Sequence, residues 1–421
     1  MRTASRFLLL SGLSVLAVSS FANSVSAAGF YIQEQSVSGL GNAFAGSAAQ
    51  PRDASVLFFN PAGMTHLEGG NANLGVHVLI PRAKMKDTGT TLPAGAPASS
   101  GDGGNPYDPT PVPNAYITQQ MTDYLWLGFG ISAPFGLGSE YNNGWFGRYD
   151  STKTELKTID FAPSIAVKPH EQLSVGASLI VQYADAKLQN NIFGATEGLQ
   201  TLDGDSIAYG WKLGVLAEPV IGTRIGIDYR SKMTQKLEGR LKIEGTGVPA
   251  LTTDIVGKAD LKLPDIATFS VAHDLNDRWT LMGSATWFGW SAFNRIDVKN
   301  QAGTTLSTIP QGYQNTWAFS AGFDYKASES WTLRAGYQFD ETPTVDEFRT
   351  SRTPDGDRHW FSGGATYTLN DRWSFDFAAT YINVADEKIN LRRNIDANPS
   401  QFRADTEGYV AILAAGVNYR F

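Results

Sequence analysis

The chain contains no cysteine among its 421 residues. This absence excludes disulfide scaffolds, thiolate zinc sites and cysteine nucleophiles together. Basic residues are also in the minority, with 34 Lys and Arg against 41 Asp and Glu and a net charge of -7. A nucleic-acid partner is therefore not expected, because proteins that bind nucleic acids carry a basic surface. After the N-terminus no apolar run reaches the roughly 18 residues that a membrane-spanning helix needs, which excludes a helical membrane protein.

The first residues have the pattern of a secretory signal peptide. Arg2 and Arg6 precede an apolar run over residues 7–18, and small residues lead to Val25-Ser26-Ala27. The run is too short to span a bilayer, so we expect a signal peptide of residues 1–27 that is cleaved after Ala27. An exported chain with no cysteine, 43 glycines and 12% aromatic residues fits the envelope of a Gram-negative bacterium.

Alternation of apolar and polar residues predicts β-strands whose two faces meet different surroundings. From Leu173 to Tyr183 the odd positions are apolar and most even positions are small or polar, and the same alternation recurs over residues 331–340 and 373–379. In a soluble sandwich the apolar face would be the core. In an outer-membrane barrel it would face lipid, and the polar face would line the lumen. The alternation alone leaves both architectures open.

Three further features favour the barrel. Trp279, Trp331 and Trp373 each open an apolar face directly after a short polar turn, as in an aromatic girdle at a membrane interface. Turn signals near residues 122, 171, 221, 276, 328 and 371 recur about every 50 residues, which fits one strand, a longer external loop and a returning strand. The apolar row from Tyr409 to Phe421 ends on an aromatic residue, like the signal read by the barrel-assembly machinery. With a first hairpin before residue 122, the sequence predicts an all-β transmembrane antiparallel barrel of about 14 strands.

Two regions fall outside the strand rhythm. Residues 28–70 are rich in Gly, Ala and Ser without long alternation. A barrel of this size would otherwise leave an aqueous hole, so we expect them to form a hatch that plugs the barrel of residues 71–421. Residues 81–113 are rich in Pro, Gly, Ala and Ser, which predicts an external loop.

Several motifs resemble one known family. Ala28-Gly29-Phe30, the glycine-rich stretch 38–46 and above all Phe59-Asn60-Pro61-Ala62-Gly63-Met64 look like the hatch of the FadL-type long-chain fatty-acid transporters. Ala133-Pro134-Phe135-Gly136-Leu137 and the stretches 339–343 and 354–360 are further matches, so the resemblance spans the chain after the signal peptide. It implies a fourteen-strand barrel plugged by the hatch, through which a hydrophobic substrate passes without nucleotide hydrolysis. No cofactor is expected.

The resemblance also implies an external capture groove. In the family, the loops that correspond to residues 187–206 and 232–264 form a low-affinity groove. Apolar side chains in these loops would catch a fatty acid outside the lipopolysaccharide leaflet, which resists apolar solutes. Ordinary loop packing is the alternative for any one of them. The candidates in this chain are Leu188, Ile192, Phe193, Leu237, Leu241 and Ile243.

Two local motifs predict moving parts. In Asn60-Pro61-Ala62, proline fixes its own φ and asparagine can bond the nearby backbone, which suits a defined plug that rearranges. A plain Asn-Pro turn is the alternative. After the third strand, proline donates no hydrogen bond and glycine weakens the ladder, so a kink there would open the barrel wall sideways and release a ligand into the bilayer. The alternative is that the strand simply ends at Ser132. The residues of this predicted lateral opening are Pro134, Phe135, Gly136 and Gly138.

Polar side chains are predicted on the lumen face of neighbouring strands. Buried charges need partners, so we expect a network that holds the hatch or lines its path, with a solvated lumen wall as the alternative. The alternation places Arg334, Gln338, Asp340 and Arg358 there.

The sequence departs from the family where a fatty-acid head group would bind. Fatty-acid members offer basic side chains to the carboxylate, whereas the corresponding stretches here show only Lys187 among amides such as Asn190 and Gln314. These three residues are the candidates for contact with the ligand head group. The departure leaves room for neutral ligands such as monoaromatic hydrocarbons.

Neither an enzyme nor a metal site is expected. The alternation puts His359 on the lipid face and Ser362 on the lumen face, so they cannot form a nucleophile and base pair. The two Asp-Gly-Asp stretches lack the full ligand spacing of a calcium loop. A structural or adhesive barrel is the other class of function, but it would not need a hatch.

We therefore expect a monomeric outer-membrane channel for passive uptake of hydrophobic small molecules, with long-chain fatty acids preferred and monoaromatic hydrocarbons as the alternative. Outer-membrane lipid and lipopolysaccharide would surround it.

Overall fold

The computed structural model describes residues 29–395 and 398–421. The predicted signal peptide lies outside these residues. Two short helices, α1 Val37–Leu40 and α2 Val56–Phe59, and a 3₁₀ turn at Pro61–His66 precede the strands, and two further 3₁₀ turns lie at Pro249–Leu251 and Trp290–Ala292. Within the described parts of the chain, no helix combines the length and the apolar character needed to cross a membrane.

The chain after the 3₁₀ turn at Pro61–His66 consists mainly of strands. They are β1 Gly70–Asp87, β2 Thr110–Thr122, β3 Leu125–Ser132, β4 Gly136–Glu140, β5 Lys153–His170, β6 Leu173–Phe193, β7 Glu197–Val220, β8 Thr223–Arg230, β9 Met233–Glu244, β10 Thr253–Leu263, β11 Ile266–Asp274, β12 Trp279–Phe288, β13 Arg295–Asn300, β14 Thr305–Pro310, β15 Thr316–Lys326, β16 Trp331–Asp340, β17 Arg358–Thr368, β18 Trp373–Ile395 and β19 Asn398–Arg420.

The strand segments form one closed antiparallel sheet. β1 pairs with β2 on one side and with β19 on the other, so that Leu74 lies opposite both Ala115 and Val417. Five barrel strands are each interrupted into two segments, namely β3 and β4, β8 and β9, β10 and β11, β12 and β13, and β14 and β15. When each interrupted strand is counted once, the 19 segments make a 14-strand barrel. The predicted fold class is confirmed.

The tight turns all lie at one end of the barrel. They occur at residues 122–125, 170–173, 220–223, 274–279, 326–331 and 368–373, at the positions that the turn signals predicted. Two of these turns share the same side-chain to backbone hydrogen bond. Asn276 Oδ1 accepts from the Trp279 amide at 3.1 Å, and Asn370 Oδ1 accepts from the Trp373 amide at 3.0 Å. The barrel closes at the same end, where Gly70 and Phe421 exchange two backbone hydrogen bonds of 2.9 Å.

The two faces of the sheet differ as the alternation predicted. On β6, Leu179 on the outer face is 54% exposed, whereas Ser178 and Gln182 on the inner face are buried. Outward aromatic rings pair between neighbouring strands just above the turns, giving the girdle expected at a membrane interface. The ring centroids are 4.5 Å apart for Trp279 and Tyr325, 5.0 Å for Trp331 and Tyr367, and 4.5 Å for Trp373 and Tyr419.

Residues 29–69 lie inside the barrel. The Ala48 amide donates to Ser270 Oγ on β11 at 3.1 Å, and the hydroxyls of Thr65 and of Ser174 on β6 are 2.6 Å apart. Helix α1 packs against β17, β18 and β19. We name this stretch the interior segment. Its contacts with strands on several sides place it across the lumen, while the 28–70 hatch boundary and the 71–421 barrel boundary stay predictions.

Segments predicted as external loops are partly strand. β6 continues to Phe193 and β7 begins at Glu197, so the predicted loop 187–206 is mostly a hairpin that prolongs the barrel wall. β9 and β10 pair in the same way across most of the predicted loop 232–264. The backbone ladder overrides loop-like composition here because each strand edge gains hydrogen-bond partners from its neighbour.

Candidate functional site

An apolar cavity of about 80 Å³ lies inside the barrel above the interior segment. Inward side chains of β4, β5, β6, β7, β9, β10 and β13 form its wall, and Phe30 of the interior segment forms part of it. Its apolar side chains are Phe30, Leu137, Leu156, Ala186, Leu188, Leu202, Leu237, Ala259, Leu261, Phe293 and Ile296, and its polar ones are Thr154, Glu155, Asp203, Gln311, Arg352 and Thr353. The cavity therefore offers a mostly apolar wall with a few polar groups for a ligand end.

The structure places the six predicted capture residues in two groups. Leu188 and Leu237 line the apolar cavity, and Leu241 is buried in an adjoining cluster with Leu202 and Val298. Ile192, Phe193 and Ile243 do not line the cavity and lie near the tips of the β6–β7 and β9–β10 hairpins. The first group thus belongs to the interior of the barrel, not to an external loop.

Arg352 is the cation of the cavity. It is 8% exposed, and its guanidinium donates to the Asp150 carbonyl at 2.8 Å, to Thr154 Oγ1 at 3.1 Å and to Asn190 Oδ1 at 3.3 Å. The sequence reasoning missed Arg352, because it lies in the irregular stretch between β16 and β17, which folds inward.

Two of the three predicted head-group residues do not line this cavity. Lys187 lies between the inward residues Ala186 and Leu188 on β6, so the alternation turns it to the outer face. Gln314 is exposed and does not line the cavity, where Gln311 is found instead. Asn190 is the one that contacts the cavity cation.

The barrel wall is broken between β3 and β4, at the predicted lateral opening. β3 ends at Ser132 and β4 begins at Gly136, and the Phe135 side chain turns inward, where it is 1% exposed. β3 and β4 both pair with β5, but only β3 pairs with β2, and that ladder stops at Ile131. Proline at position 134 has no amide to donate, so the ladder with β2 does not continue through it.

The start of the interior segment covers this break like a short added strand. Tyr31 forms a β-bridge with Phe135. The Ile32 amide donates to the Pro134 carbonyl at 2.8 Å, and the Gly136 amide donates to the Phe30 carbonyl at 3.0 Å. We call residues 30–32 the seal, because they satisfy backbone groups that the broken wall would leave open.

Aromatic packing holds the seal against the cavity. The Phe30 ring lies 4.8 Å from Trp290, 5.3 Å from Phe293 and 6.1 Å from Phe135, measured between centroids. A side chain at Gly136 would meet Ile32 Cδ1 at 2.6 Å, whereas a side chain at Gly138 would meet no atom within 4 Å. Of the two glycines, only Gly136 packs against the seal, and a larger side chain there would displace the end of the Ile32 side chain.

Asn60 connects the interior segment to itself and to the barrel. Its side chain is fully buried; Oδ1 accepts from the Ala62 amide at 3.0 Å, and Nδ2 donates to the carbonyls of Ala48 at 2.7 Å and Val215 at 3.0 Å. Pro61 begins the 3₁₀ turn that follows, where its fixed φ is suited to the first position. The motif therefore fixes a compact fold of the interior segment against β7.

The predicted lumen network is in fact two clusters. Near the turn end, Arg52 Nε donates to Asp324 Oδ2 at 2.7 Å, and Arg334 Nε lies 3.5 Å from Asp324 Oδ1. Asp340 lies six residues further along β16 than Arg334, or about 20 Å at the usual rise of a strand. Arg334 is thus too distant to join Asp340 and Arg358.

The second cluster holds the first described residues of the interior segment. The Gly29 amide donates to Asp355 Oδ2 at 2.8 Å, and Arg358 donates to Asp355 Oδ1 at 2.8 Å and to the Gly29 carbonyl at 3.3 Å. Gln338 Nε2 donates to Gln33 Oε1 at 3.0 Å. Asp340, which lies opposite Arg358, is buried, and its Oδ1 has no hydrogen-bond partner within residues 29–395 and 398–421.

Burial raises the pKa of Glu34, next to the seal, to about 7, although its backbone hydrogen bonds and the charge of Arg358 act in the opposite direction. In the loop before β17, burial likewise raises the pKa of Asp357 to about 7, and the nearby carboxylates of Glu387, Glu341 and Asp355 add to the shift. Both acids lie beside the residues that position the seal, so protonation there changes the charge around it.

A third buried charge cluster lies under α2 and was missed. Lys212 lies 3.2 Å from Asp228 and donates to the Phe58 carbonyl, and Arg230 Nη1 lies 2.7 Å from Asp160 Oδ2. All four side chains are buried. The sequence did contain the signal, because Lys212 alternates with the outward Trp211 and Leu213 on one strand. It could not tell which residue of the interior segment would contact the lysine.

Comparison with known proteins gives one consistent result. Residues 18–421 match the family model described as outer membrane protein transport protein (OMPP1/FadL/TodX). The chain is 27% identical over 424 residues to the long-chain fatty acid transport protein of Salmonella typhi, with 94% of each chain covered.

Solved structures agree in fold. A FadL homologue of Pseudomonas aeruginosa superposes with a TM-score of 0.88 at 26% identity and covers 94% of this chain and 100% of its own. The toluene transporter TodX of P. putida superposes with a TM-score of 0.68 at 15% identity, covering 94% of this chain and 99% of its own, which shows a common fold alone.

Proposed function

This chain belongs to the outer membrane protein transport protein family (OMPP1/FadL/TodX), and we propose that it takes up long-chain fatty acids by passive diffusion. It is a transporter of hydrophobic compounds in the outer membrane of a Gram-negative bacterium, not an enzyme. The choice of ligand is supported by the printed function of relatives such as the Salmonella typhi protein and by the chemistry of the cavity.

The observation that carries the proposal is that the apolar cavity and the wall break share residues. Phe30 of the seal and Leu137 of β4 line the cavity, and both lie next to Phe135 at the break. A ligand in the cavity would need only displacement of the seal to reach the bilayer through the wall. An apolar ligand would then pass from one apolar environment to another without entering water, which costs little free energy.

A fatty acid fits this cavity better than a neutral hydrocarbon because Arg352 lies at its wall. A carboxylate could take the place of Asn190 on the guanidinium, which would give a charge-assisted hydrogen bond in a buried site. The alkyl chain would then lie along Leu188, Leu202 and Leu237. A monoaromatic hydrocarbon has no group that would use the arginine.

The remaining capture residues suit a first contact outside the cavity. Ile192, Phe193 and Ile243 lie near the tips of two hairpins that extend the wall, and a side chain at Gly95 in the loop 88–109 would meet the Phe193 ring at 3.4 Å. We infer that they receive the ligand before Leu188 and Leu237, which lie on the same hairpins but further from the tips and closer to the barrel interior. This order agrees with capture at the external end followed by transfer inward.

Uptake by cells that lack a fatty-acid transporter of their own tests the proposal. Ala186→Trp would fill the cavity, because Ala186 is one of its wall residues, and should lower uptake of labelled oleate at least about tenfold, since ligand sites of this kind are largely preformed. Lys187→Trp is the matched control, one residue away on the outer face, and should leave uptake within about twofold.

Labelled toluene in the same cells separates the ligand classes. Arg352→Gln should lower oleate uptake and leave toluene uptake unchanged if the carboxylate binds the arginine. Uptake of toluene but not oleate by the unmodified chain would overturn the fatty-acid assignment while leaving the channel intact. Equal uptake by Ala186→Trp and the unmodified chain would show that the cavity is not on the route.

A further inference from the structure

A cluster of basic side chains lies on the outer surface of three adjacent strands, beyond the lipid-facing band. It consists of Arg82, Lys84 and Lys86 on β1, Lys388 and Arg392 on β18, and Arg403 on β19, all of them exposed. We name these six residues the rim patch. The strand register arranges them in rows, with Lys84 opposite Glu407, and Lys86 opposite Asp405, which in turn lies opposite Lys388.

The rim patch begins at the upper aromatic level of the barrel. Tyr381 and Tyr409 are neighbours on the outer face with ring centroids 5.6 Å apart, and Arg82 lies opposite Tyr409. Apolar residues such as Phe377 and Leu413 lie on the hydrocarbon side of these rings. At the usual rise of about 3.3 Å per residue, Lys84 and Lys86 lie about 7 and 13 Å further along β1. This is the depth of the lipid headgroups, since interfacial Tyr marks the boundary of the hydrocarbon core.

The strands of this sector carry a small excess of basic side chains. The six basic residues share β1, β18 and β19 with the exposed or half-exposed acids Asp87, Asp386, Glu387, Asp405 and Glu407, in a chain whose net charge is -7. Within residues 29–395 and 398–421, none of the six forms an ion pair; Arg403 does donate to Asn390 Oδ1 at 3.3 Å. The basic groups therefore remain available to an anionic partner.

Basic residues on the β9–β10 hairpin, which is also exposed on the outer face, behave differently. Lys258 lies 2.7 Å from Glu238, Arg240 lies 2.7 Å from Asp254, and Lys242 lies 2.8 Å from Glu244. That surface neutralises its own charges. The contrast shows that unpaired cations are a property of the β1–β19–β18 sector and not of every prolonged hairpin.

A groove lies beside the rim patch. It is open to solvent, has a volume of about 720 Å³, and is lined by Lys84, Lys86 and Lys388 but also by the acids Asp87, Asp102, Asp386, Glu387, Asp405 and Glu407. Because acids outnumber lysines in its lining, the groove itself does not favour an anion. The part of this surface that can bind phosphate is the row of exposed basic side chains on the outer face, whose ammonium and guanidinium groups act as hydrogen-bond donors and positive charges.

We propose that the rim patch binds the phosphate groups of a phosphorylated glycolipid of the outer leaflet, of the lipopolysaccharide class. The patch lies at headgroup depth, and its cations form no ion pair within residues 29–395 and 398–421. The acyl chains of the same lipid would pack on the apolar faces of β1 and β19 below the Tyr381 and Tyr409 rings. This lipid contact is independent of what the barrel transports.

Binding of lipopolysaccharide to the purified full-length barrel in detergent tests the proposal. The variant Arg82→Gln, Lys84→Gln, Lys86→Gln, Lys388→Gln removes four cations of the rim patch. The matched control Lys236→Gln, Arg240→Gln, Lys242→Gln, Lys258→Gln removes four cations from β9 and β10. Native mass spectrometry or fluorescence titration gives the affinity, and the change of electrophoretic mobility on heating shows that each barrel is folded.

We expect the rim-patch variant to bind lipopolysaccharide at least about tenfold more weakly and the control to match the unmodified chain, since each basic side chain near an anionic lipid surface adds to the attraction. Lipopolysaccharide stripped of its phosphates should bind as weakly as the variant binds the intact lipid, and inorganic phosphate at millimolar concentration should not compete. Equal affinity of the two four-residue variants, or full binding of the dephosphorylated lipid, would overturn the proposal. Phosphate competition would assign the patch to a free anion and overturn the lipid assignment.

Discussion

At the scale of single residues, a few buried polar side chains hold the interior segment in the barrel. Asn60 makes three hydrogen bonds that join two parts of the segment and one strand of the wall. Arg52 reaches Asp324 on β15, and Lys212 on β7 reaches the Phe58 carbonyl. Because breaking any of these contacts would remove a hydrogen bond from a buried polar group, the contacts favour keeping the segment in place.

The substitution Asn60→Ala should loosen the interior segment. It removes partners from the carbonyls of Ala48 and Val215 and from the Ala62 amide, and an orphaned buried group costs about 1–3 kcal/mol. Hydrogen exchange over residues 45–65 should become faster, and cells should become more permeable to small polar dyes. Asn105→Ala is a suitable control, since Asn105 also bonds backbone groups but lies in an exposed loop. Unchanged exchange in Asn60→Ala would show that the motif does not restrain the segment.

Glu34 should make the seal weaker at alkaline pH. Its folded-state pKa of about 7 lies above the ordinary value of 4.5 because the side chain is buried. A raised carboxyl pKa means that the folded state holds the proton more tightly, so this contribution is complete below about pH 4.5 and is lost as the pH rises through about 7. The loss amounts to roughly 3 kcal/mol at most.

Limited proteolysis or hydrogen exchange of residues 29–40 at pH 5 and pH 8, corrected for the intrinsic effect of pH, measures the change. The unmodified chain should open more readily at pH 8, and Glu34→Gln should abolish the difference. Glu68→Gln, which alters an exposed acid close to the same segment, should retain it. A pH effect that survives in Glu34→Gln would assign the titration to another group.

At the scale of elements, the barrel strands are interrupted where side chains must turn inward. The breaks at residues 231–232, 264–265 and 289–294 leave both segments paired on both sides, whereas beside the break at 311–315 β14 pairs only with β13. At residues 133–135 β4 likewise pairs only with β5, but here the seal supplies backbone hydrogen bonds across the break.

A disulfide across the seal should stop transport reversibly. Tyr31 and Phe135 are directly opposed in a β-bridge flanked by two hydrogen bonds, an arrangement with Cα atoms about 4.5 Å apart that suits a disulfide. The chain has no cysteine of its own, so Tyr31→Cys with Phe135→Cys forms one defined crosslink. Oleate uptake should fall to background when the pair is oxidised and return after reduction.

The two single cysteine variants control for the loss of the aromatic rings. They should transport equally under oxidising and reducing conditions. Uptake that persists through a fully formed crosslink, verified by peptide mass, would remove the seal from the route and require an exit elsewhere.

At the scale of the whole molecule, the barrel is a lipid-facing cylinder whose lumen is filled by its own N-terminal residues. Exposed apolar side chains form the outer band, while charges and small polar residues surround the interior segment. A 14-strand barrel has a lumen too wide for its own inward side chains to close. The interior segment is therefore what distinguishes a selective transporter from an open pore.

Deletion of residues 30–67 should convert the barrel into an ion-conducting pore. The strands that close the wall begin at Gly70 and do not include the deleted residues, so the cylinder can still form. Conductance in planar bilayers should rise from near zero to a steady open level, whereas the unmodified chain should stay closed. A folded deletion variant without conductance would mean that the loops or lumen side chains close the barrel by themselves.

The sequence by itself determined that the chain forms a barrel, and which face of each strand points outward. A period of two along each strand, tryptophans after polar turns and turn signals at regular spacing are local properties, so the strands, the six tight turns and the two faces could be predicted without knowing any contact. The strand break at Pro134 could also be predicted from the sequence, because proline has no amide hydrogen to donate to a neighbouring strand.

Only the tertiary structure decided what lies against what inside the lumen. The cavity draws side chains from β4 to β10, from the seal and from the stretch that contains Arg352, residues more than 300 positions apart, and no periodicity in the sequence relates them. For the same reason the sequence assigned Lys187 to the ligand although its strand turns it outward, and it joined Arg334 to a cluster too far along the strand. Local spacing fixes the face on which a side chain lies, whereas its partners are fixed by how the closed sheet surrounds the segment within it.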